Sequence, residues 1–175
     1  MTVALVWDAS ALHHFAKADR IDVLAQLAAP FRNVTTRVVI QELANRQLDA
    51  AALAGGWLDT VPLDELPELT AYVEWSDRLG LVDARHAGEA TVLAWAQVHD
   101  AVAVIDDGEA RHLGRKAGRR VHGTLWLVAQ AVRSGRETES SVAGLIRAVS
   151  DAGARYPAEA VSDFGRWARS QDLLS

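Results

Sequence analysis

Two short, uninterrupted apolar runs constrain the fold of this sequence more than any other feature. Residues 2–7 (TVALVW) and 101–105 (AVAVI) are too short for typical helices, and continuous apolarity at this length is typical of strands buried on both faces. Shorter strands are predicted at residues 33–36 and around Val121, each between helix-like stretches. Strands that alternate with helices indicate an α/β fold whose central parallel sheet is covered on both faces.

The helices are predicted from the spacing of apolar residues and from their end signals. Ser10 is expected to cap the first helix, and Gly80 is expected to end a helix at residues 64–79. Because Pro62 cannot donate to a neighbouring strand, residues 57–63 (WLDTVPL) are expected to form a short edge segment. Further helices are predicted in VVIQELANRQL, in HAGEATVLAWAQVH, in the basic stretch after the aspartate pair and in TLWLVAQAV.

A chain of 175 residues is long enough for one domain with a sizeable core. We expect a single domain at 1–175, with a core at 1–135 and two C-terminal helices at 138–172 that are interrupted near Gly153 and Pro157. This tail is expected to pack on the core because it carries an apolar stripe, made by Val142, Leu145, Ile146 and Val149.

Composition excludes several kinds of protein and site. The sequence has no cysteine, which rules out disulfides, thiolate metal sites and cysteine nucleophiles, so a metal must be held by oxygen or imidazole. No apolar stretch approaches the roughly 20 residues of a membrane-spanning helix, and the N-terminus lacks a basic segment followed by an apolar one. We therefore expect a cytoplasmic protein that does not contact a membrane.

The net charge of −5 argues against a surface that binds nucleic acid broadly. One local basic cluster follows the aspartate pair and ends at Arg120, and its first four members are Arg111, Arg115, Lys116 and Arg119. They are candidates for contacting an RNA backbone, because phosphates bind clustered Lys and Arg side chains. The alternative is a solvated helix face, which the same pattern fits equally well.

Acidic residues follow the two main strands and interrupt two apolar helix faces. Asp8 follows the first strand, and Asp106 and Asp107 follow a later one, so parallel strands place them at the edge where α/β sheets bind ligands. Glu42 and Glu89 lie on helix faces that otherwise look buried. Carboxylates about 4 Å apart repel by roughly 1 to 4 kcal/mol per pair, and a divalent cation would relieve this repulsion. Mg²⁺ and Mn²⁺ prefer such oxygen ligands.

Each acid also has an explanation that needs no metal. Asp8 would cap the following helix, Glu42 would lie on the surface, and Glu89 would be favoured by the helix dipole. The aspartate pair would form a turn and a cap. These explanations predict scattered positions, whereas the ordered placement of the acids along the chain favours one shared site.

Other catalytic sites are not supported by the sequence. No GxGxxG follows the first strand, no GxSxG is present, and Ser10 stands where a haloacid-dehalogenase-type phosphatase has a second aspartate. There is no HExxH spacing, which argues against a zinc hydrolase. His86 lies one turn before Glu89, and His13 and His14 are expected on a helix surface.

Five segments occur in order over about residues 3–133, namely VWDASAL, VIQELA, AGEATVLAWA, AVIDDGEARHLG and VHGTLWLVAQA. In order and spacing they resemble the PIN-domain family of metal-dependent ribonucleases. The sequence is most similar to VapC-like toxins of the branch that has glutamate in the third acidic motif and Gly-Thr after the last strand. The resemblance implies a three-layer α/β/α fold around the parallel sheet, with a similar C-terminal helical extension.

The resemblance also implies hydrolysis of RNA phosphodiesters by a water that Mg²⁺ or Mn²⁺ activates. Asp8, Glu42 and Glu89 match the first three acids of the family's motifs. Asp107 is the expected match for the fourth acid, with Asp106 as the alternative, and both are candidate metal ligands.

Two hydroxyl groups are implied as supporting residues. Ser10 matches the polar residue two places after the first acid, and Thr124 matches the hydroxyl of the Gly-Thr pair. Each is expected either to orient a ligand water or phosphate or to cap a helix. Trp126 stands where members of this branch often have glycine, so the approach to the site is expected to be narrower. Trp7, Trp95 and Trp126 lie in apolar runs and are expected in the core.

Many small proteins that resemble this one are toxins blocked by an antitoxin segment that enters the acidic groove, and many dimerise. The resemblance therefore implies RNA, an antitoxin protein and a second copy of the chain as candidate partners. The main alternative is a PIN-like scaffold that does not cleave and binds RNA or a protein. A DNA-directed nuclease would have the same site chemistry.

Overall fold

The computed structural model describes residues 2–49, 53, 55–81 and 85–175. A five-stranded, all-parallel sheet in the order β3-β2-β1-β4-β5 lies at its centre. The strands are β1 (Ala4–Trp7), β2 (Arg32–Thr36), β3 (Asp59–Val61), β4 (Val102–Val104) and β5 (Val121–His122). The predicted α/β fold with a central parallel sheet is confirmed, and the segment around Pro62 contributes the edge strand β3.

Strand β1 occupies the middle of the sheet because its side chains are apolar on both faces. Leu5, Val6 and Trp7 are fully buried. Trp7 pairs with Thr35 of β2 on one side and with Val104 of β4 on the other. The residues that follow β1 and β4 therefore lie side by side at one edge of the sheet.

Ten described helices cover the sheet in two layers, which gives the three-layer α/β/α arrangement. They are α1 (Ala9–Lys17), α2 (Ile21–Ala28), α3 (Arg37–Asn45), α4 (Leu66–Leu79), α5 (Ala87–Val98), α6 (Gly108–Lys116), α7 (Thr124–Arg133), α8 (Glu139–Asp151), α9 (Ala158–Ser162) and α10 (Phe164–Ser170). Helix α5 contacts β1, β2 and β4, and α4 packs on α5 and α6. In the other layer, α1 packs on α2 and α8, and α2 packs on α7.

The ends of α4 follow from local chemistry. Glu65 caps its start in a reciprocal box with Glu68, and Gly80 ends it in the left-handed conformation, with φ of 62°. A residue with a side chain would be strained at this φ, so glycine is favoured at this helix end. The predicted stop at Gly80 is confirmed.

The C-terminal tail differs from the prediction, because it contains three helices (α8, α9 and α10) instead of two. Pro157 caps α9, and the Asp163 carboxylate accepts a hydrogen bond from the Arg166 N–H at 3.0 Å, which starts a separate helix after a turn. Helix α8 contacts α1, and its apolar stripe is buried at Val142, Leu145, Ile146 and Val149.

Two further local predictions are corrected. The N-cap of α1 is Asp8 instead of Ser10, because the Asp8 carboxylate accepts the Ser10 N–H. Trp7 and Trp95 lie in the core as predicted, but Trp126 is only partly buried and lines a cavity. None of the helices in the described ranges combines the length and the apolarity that crossing a bilayer requires.

Candidate acidic site at the carboxyl edge of the sheet

Asp8 directly follows the central strand β1, and its two carboxylate oxygens differ in their hydrogen bonds. Its N–H donates to the Val104 carbonyl at 3.0 Å, which extends the pairing of β1 with β4 by one residue. Oδ2 accepts the Ser10 N–H at 3.1 Å and the Ser10 hydroxyl at 2.6 Å. Oδ1 is buried and has no hydrogen-bond partner among the described residues. A buried carboxylate oxygen without a partner is costly, so this oxygen is available to a cation or to a hydrogen-bond donor.

The side chains of the two adjacent aspartates after β4 make hydrogen bonds to different helices. Asp107 caps α6, and its Oδ1 accepts the Ala110 N–H at 2.8 Å. Asp106 instead accepts the Thr124 N–H at 2.8 Å, and the Thr124 hydroxyl lies 2.9 Å from its Oδ2. The charge of Asp106 also raises the pKa of Asp8. Asp106 is therefore the member of the pair whose charge acts on Asp8, whereas Asp107, the expected fourth acid, caps α6.

Glu42 is held against the start of α5. Its Oε1 accepts the Gly88 N–H at 3.0 Å, and a Cβ on Gly88 would lie only 2.8 Å from that oxygen. The hydroxyls of Thr36, which caps α3, and Thr91 of α5 are 2.8 Å apart and join the two helices in the interior. Glycine at position 88 thus allows the Glu42 carboxylate to contact the α5 backbone.

Glu89 follows in the first turn of α5 and is mostly buried. Its Oε1 lies 3.5 Å from Nδ1 of His86. Burial raises the pKa of the Glu89 carboxyl to about 7, and the charges of Asp8 and Glu42 add to this rise. His86, singled out because it lies one turn earlier in the sequence, is therefore next to the acidic cluster.

Mutual repulsion links the four acids that we call the acidic cluster, namely Asp8, Glu42, Glu89 and Asp106. Burial raises the pKa of each one. The Asp8 charge raises the pKa of Glu42 and of Glu89 further. Charges that shift the pKa of one another's carboxyl groups lie near one another. The structure thus brings together acids that are up to 98 residues apart in the sequence, from Asp8 to Asp106.

The donor set of the acidic cluster fits a hard divalent cation. It contains only carboxylate oxygens, and one of them is the buried Oδ1 of Asp8. Within residues 2–49, 53, 55–81 and 85–175, no three His, Asp or Glu side chains are already arranged to hold a metal ion.

The two supporting hydroxyls have distinct places. Ser10 donates to Oδ2 of Asp8 and thereby leaves Oδ1 directed elsewhere. Thr124 is fully buried and its Oγ1 lies 2.7 Å from the Tyr156 hydroxyl, which forms a chain from Tyr156 through Thr124 to Asp106. Burial raises the pKa of Tyr156 well above its ordinary value, and the Asp106 charge adds to the rise. Tyr156 thus stays protonated.

The four basic candidates are separated by the structure. Arg111 donates to the carbonyls of Ile105 at 3.0 Å and Asp106 at 2.6 Å, so it is tied to the end of β4. Arg115 donates to the Val121 carbonyl at 2.8 Å and lines the same cavity as Arg111. Lys116 and Arg119 are exposed and do not line that cavity.

The family model described as DUF3368: PIN domain matches residues 4–169, nearly the whole chain. The chain belongs to the PIN-domain family. PIN domains are generally nucleases, and the nucleases among them generally use divalent metals. No curated protein matches this PIN domain.

Sequence reasoning missed Tyr156 and Arg155 in this region. Both come from the segment between α8 and α9, far along the chain from the acids, and line the cavity beside Asp106. No spacing or motif marks them, since only the return of the tail to the sheet edge brings them there. His13 and His14 are half-buried on α1, and each has a buried Nδ1 with no hydrogen-bond partner among the described residues.

Proposed function

We propose that this PIN domain is a Mg²⁺- or Mn²⁺-dependent endoribonuclease and the toxin of a toxin–antitoxin pair. The observation that carries the proposal is the buried Oδ1 of Asp8, which has no hydrogen-bond partner among the described residues and lies beside three other acids whose pKa is raised. Repulsion of this kind is costly to keep unless a cation compensates it.

The acidic cluster would hold the cation, with Asp8 and Asp106 contributed by strand ends and Glu42 and Glu89 by helices. The bound cation would activate a water and offset the charge that develops on the phosphoryl oxygens. The chain's own residues prepare this site. Ser10 fixes the Asp8 rotamer through Oδ2, and Thr124 fixes Asp106. Asp107 keeps a structural role as the cap of α6.

The reaction proposed is hydrolysis of an internal phosphodiester. A water oxygen forms a bond to phosphorus, and the bond between phosphorus and one ester oxygen breaks, so that one product ends in a phosphate and the other in a hydroxyl. Arg111 and Arg115 lie on the Asp106 side of the acidic cluster and provide positive charge for the RNA backbone. Lys116 and Arg119 would contact phosphates further away.

The direct test compares the wild-type protein with Asp8→Asn in calorimetric titration with Mn²⁺ and in cleavage of single-stranded RNA. Asparagine keeps the oxygen that caps α1 but removes the charge, so the variant should stay folded, bind Mn²⁺ weakly and lose cleavage by at least about 100-fold. Glu74→Gln, an exposed acid on α4, is the matched control and should leave both properties unchanged.

The other outcomes of this test separate the alternatives. Equal RNA binding by the wild type and Asp8→Asn, without cleavage or Mn²⁺ uptake, would replace the proposal with the non-cleaving binding module. Faster cleavage of single-stranded DNA than of RNA would make the protein a DNA-directed nuclease. For the toxin role, expression of the wild type should arrest growth, whereas expression of Asp8→Asn should not.

The antitoxin and the second copy are also part of the proposal. The concentration of buried negative charge at one edge of the sheet supports a partner segment that carries Lys or Arg into the groove. Such a segment should lower Mn²⁺ uptake in proportion to its occupancy. Sedimentation of the isolated chain would show whether it dimerises.

A further inference from the structure

A cavity opens beside the acidic cluster, on the side of Asp106 that faces the C-terminal tail. Its volume is about 280 Å³. Asp106 forms part of its wall, and Trp126, His122, Tyr156 and Trp167 supply aromatic surface. Pockets for drug-sized ligands usually measure about 300 to 1,000 Å³, so this cavity suits a ligand no larger than one nucleotide.

The aromatic wall has a flat, uncharged element. The rings of His122 and Trp126 stack with centroids 4.4 Å apart and an angle of 14° between their planes. Burial, together with the charges of Arg115 and Arg120, lowers the pKa of His122 to about 4, so the ring is neutral at physiological pH. Phe31 supports Trp126 from another direction, at 6.3 Å between centroids. A preformed aromatic surface of this kind is what a nucleobase stacks on.

The same cavity carries an excess of positive charge. Arg111, Arg115 and Arg155 line it, against one carboxylate, that of Asp106. Arg111 and Arg115 are held by backbone carbonyls, which leaves the remaining N–H groups of each guanidinium for a ligand. Arg155 is exposed at the rim. Flat aromatic surface next to several guanidinium groups matches a base joined to a phosphate.

We infer that this cavity is a nucleotide subsite, in which the RNA nucleotide next to the cleaved bond stacks its base on an outer face of the Trp126–His122 pair and places its phosphate on Arg115 and Arg155. The inference rests on the proposed function for the position of the cleaved bond, since Asp106 belongs both to the cavity wall and to the acidic cluster. The subsite would give the enzyme a preference for one base at that position.

Binding can be measured separately from cleavage. Calorimetry with uridine, cytidine, adenosine and guanosine monophosphates, in the presence of a chelator, tests the subsite without metal or catalysis. We expect at least one nucleotide to bind more tightly than inorganic phosphate. Trp126→Leu and Arg155→Gln should each weaken its binding by about five- to 100-fold, the range found for loss of base stacking. Arg147→Gln, an exposed arginine on α8 outside the cavity, is the matched control.

Arg155→Gln changes an exposed side chain and keeps the test valid if Trp126→Leu folds poorly. Affinity that is unchanged in Arg155→Gln and in folded Trp126→Leu would overturn the subsite. Phosphate binding as tightly as every nucleotide would also overturn it, because stacking would then contribute nothing. If the wild-type protein binds a nucleotide but cleaves no RNA, the proposed function and the position of the cleaved bond are wrong. The nucleotide pocket then stands without them. If the protein cleaves RNA with a base preference that Trp126→Leu does not alter, the proposed function stands and the subsite is wrong.

Discussion

Two buried carboxylates in this molecule, those of Glu68 and Asp8, differ in how fully they are hydrogen-bonded. Glu68 in α4 is 4% exposed and Asp8 is 2% exposed. Oε2 of Glu68 accepts the N–H groups of Asp64 and Glu65, and its Oε1 lies 2.7 Å from Nε2 of His99. One oxygen of Asp8, in contrast, has no partner among the described residues. The two acids therefore differ in their hydrogen bonds and not in their burial.

The pKa values express the same contrast. Burial raises the pKa of Glu68, but the bonds from His99, Glu65 and Asp64 outweigh it and lower the pKa below the ordinary value. For Asp8, burial outweighs the bonds from Ser10, and the charge of Asp106 raises the pKa further. Ionised Glu68 thus stabilises the fold, while ionised Asp8 opposes folding where no positive charge compensates it.

The largest expected effect tests this contrast directly. Glu68→Ala removes the capping bonds of α4 and the partner of His99, and we expect it to lower the free energy of unfolding by about 2–3 kcal/mol. RNA cleavage per folded molecule should not change. Asp8→Asn should do the reverse, with little loss of stability in chelator and no cleavage. Urea unfolding and cleavage assays on the same preparations would measure both.

One result would contradict this distinction between a hydrogen-bonded structural acid and an acid of the acidic cluster. If Glu68→Ala left stability intact but reduced the cleavage rate of the folded protein, Glu68 would belong to the active site, and compensation by hydrogen bonds would no longer distinguish the two kinds of acid.

The pH dependence of stability gives a smaller effect. The pKa of Glu89 is about 7 in the folded protein against an ordinary 4.5, so the folded state binds more protons between these values. In chelator, its contribution to stability is present below about pH 4.5 and is lost as the pH rises through 7. We expect this to lower the free energy of unfolding by about 1–2 kcal/mol between pH 5 and 8, after allowance for partial exposure.

The difference between wild type and Glu89→Gln isolates this contribution. The pKa of His13, His14 and His122 is lowered, mainly by burial, so these residues add stability as the pH rises through about 6.5 in both proteins. The wild type should therefore lose stability relative to Glu89→Gln on going from pH 5 to 8, and saturating Mn²⁺ should reverse this loss. Parallel curves in chelator would show that Glu89 is not electrostatically stressed.

The sequence patterns that predicted the sheet also predicted most of the acidic cluster, for one physical reason. Parallel strands share a carboxyl edge, so an acid directly after each apolar run must lie there. That logic works for Asp8 but does not separate Asp106 from Asp107, because their directions depend on hydrogen bonds to Thr124 and to the α6 backbone. Sequence periodicity carries no information about such partners.

Contacts between residues far apart in the sequence were not predicted, for the same reason. Glu68 and His99 are 31 residues apart, and neither stands in a recognisable motif. The cavity beside Asp106 depends on Tyr156, which the tail returns to the sheet edge. The stop of α4 at Gly80 was predictable because it is decided locally, by the backbone conformation of that one residue.

The smallest effect comes from moving a carboxylate without changing any charge. A Cβ at position 88 would approach both oxygens of Glu42, at 2.8 and 2.9 Å, so Gly88→Ala must push this carboxylate aside. Alanine also favours the helical conformation over glycine by about 1 kcal/mol, so α5 should not weaken. We expect cleavage to fall by roughly tenfold, as when a group that orients a metal ligand is lost, while the unfolding free energy stays the same or rises. Gly144→Ala on α8, where a Cβ would meet open space, is the control and should leave cleavage unchanged. Full activity in Gly88→Ala would mean that the Glu42 position is not critical, and the acidic cluster would then reduce to Asp8, Glu89 and Asp106.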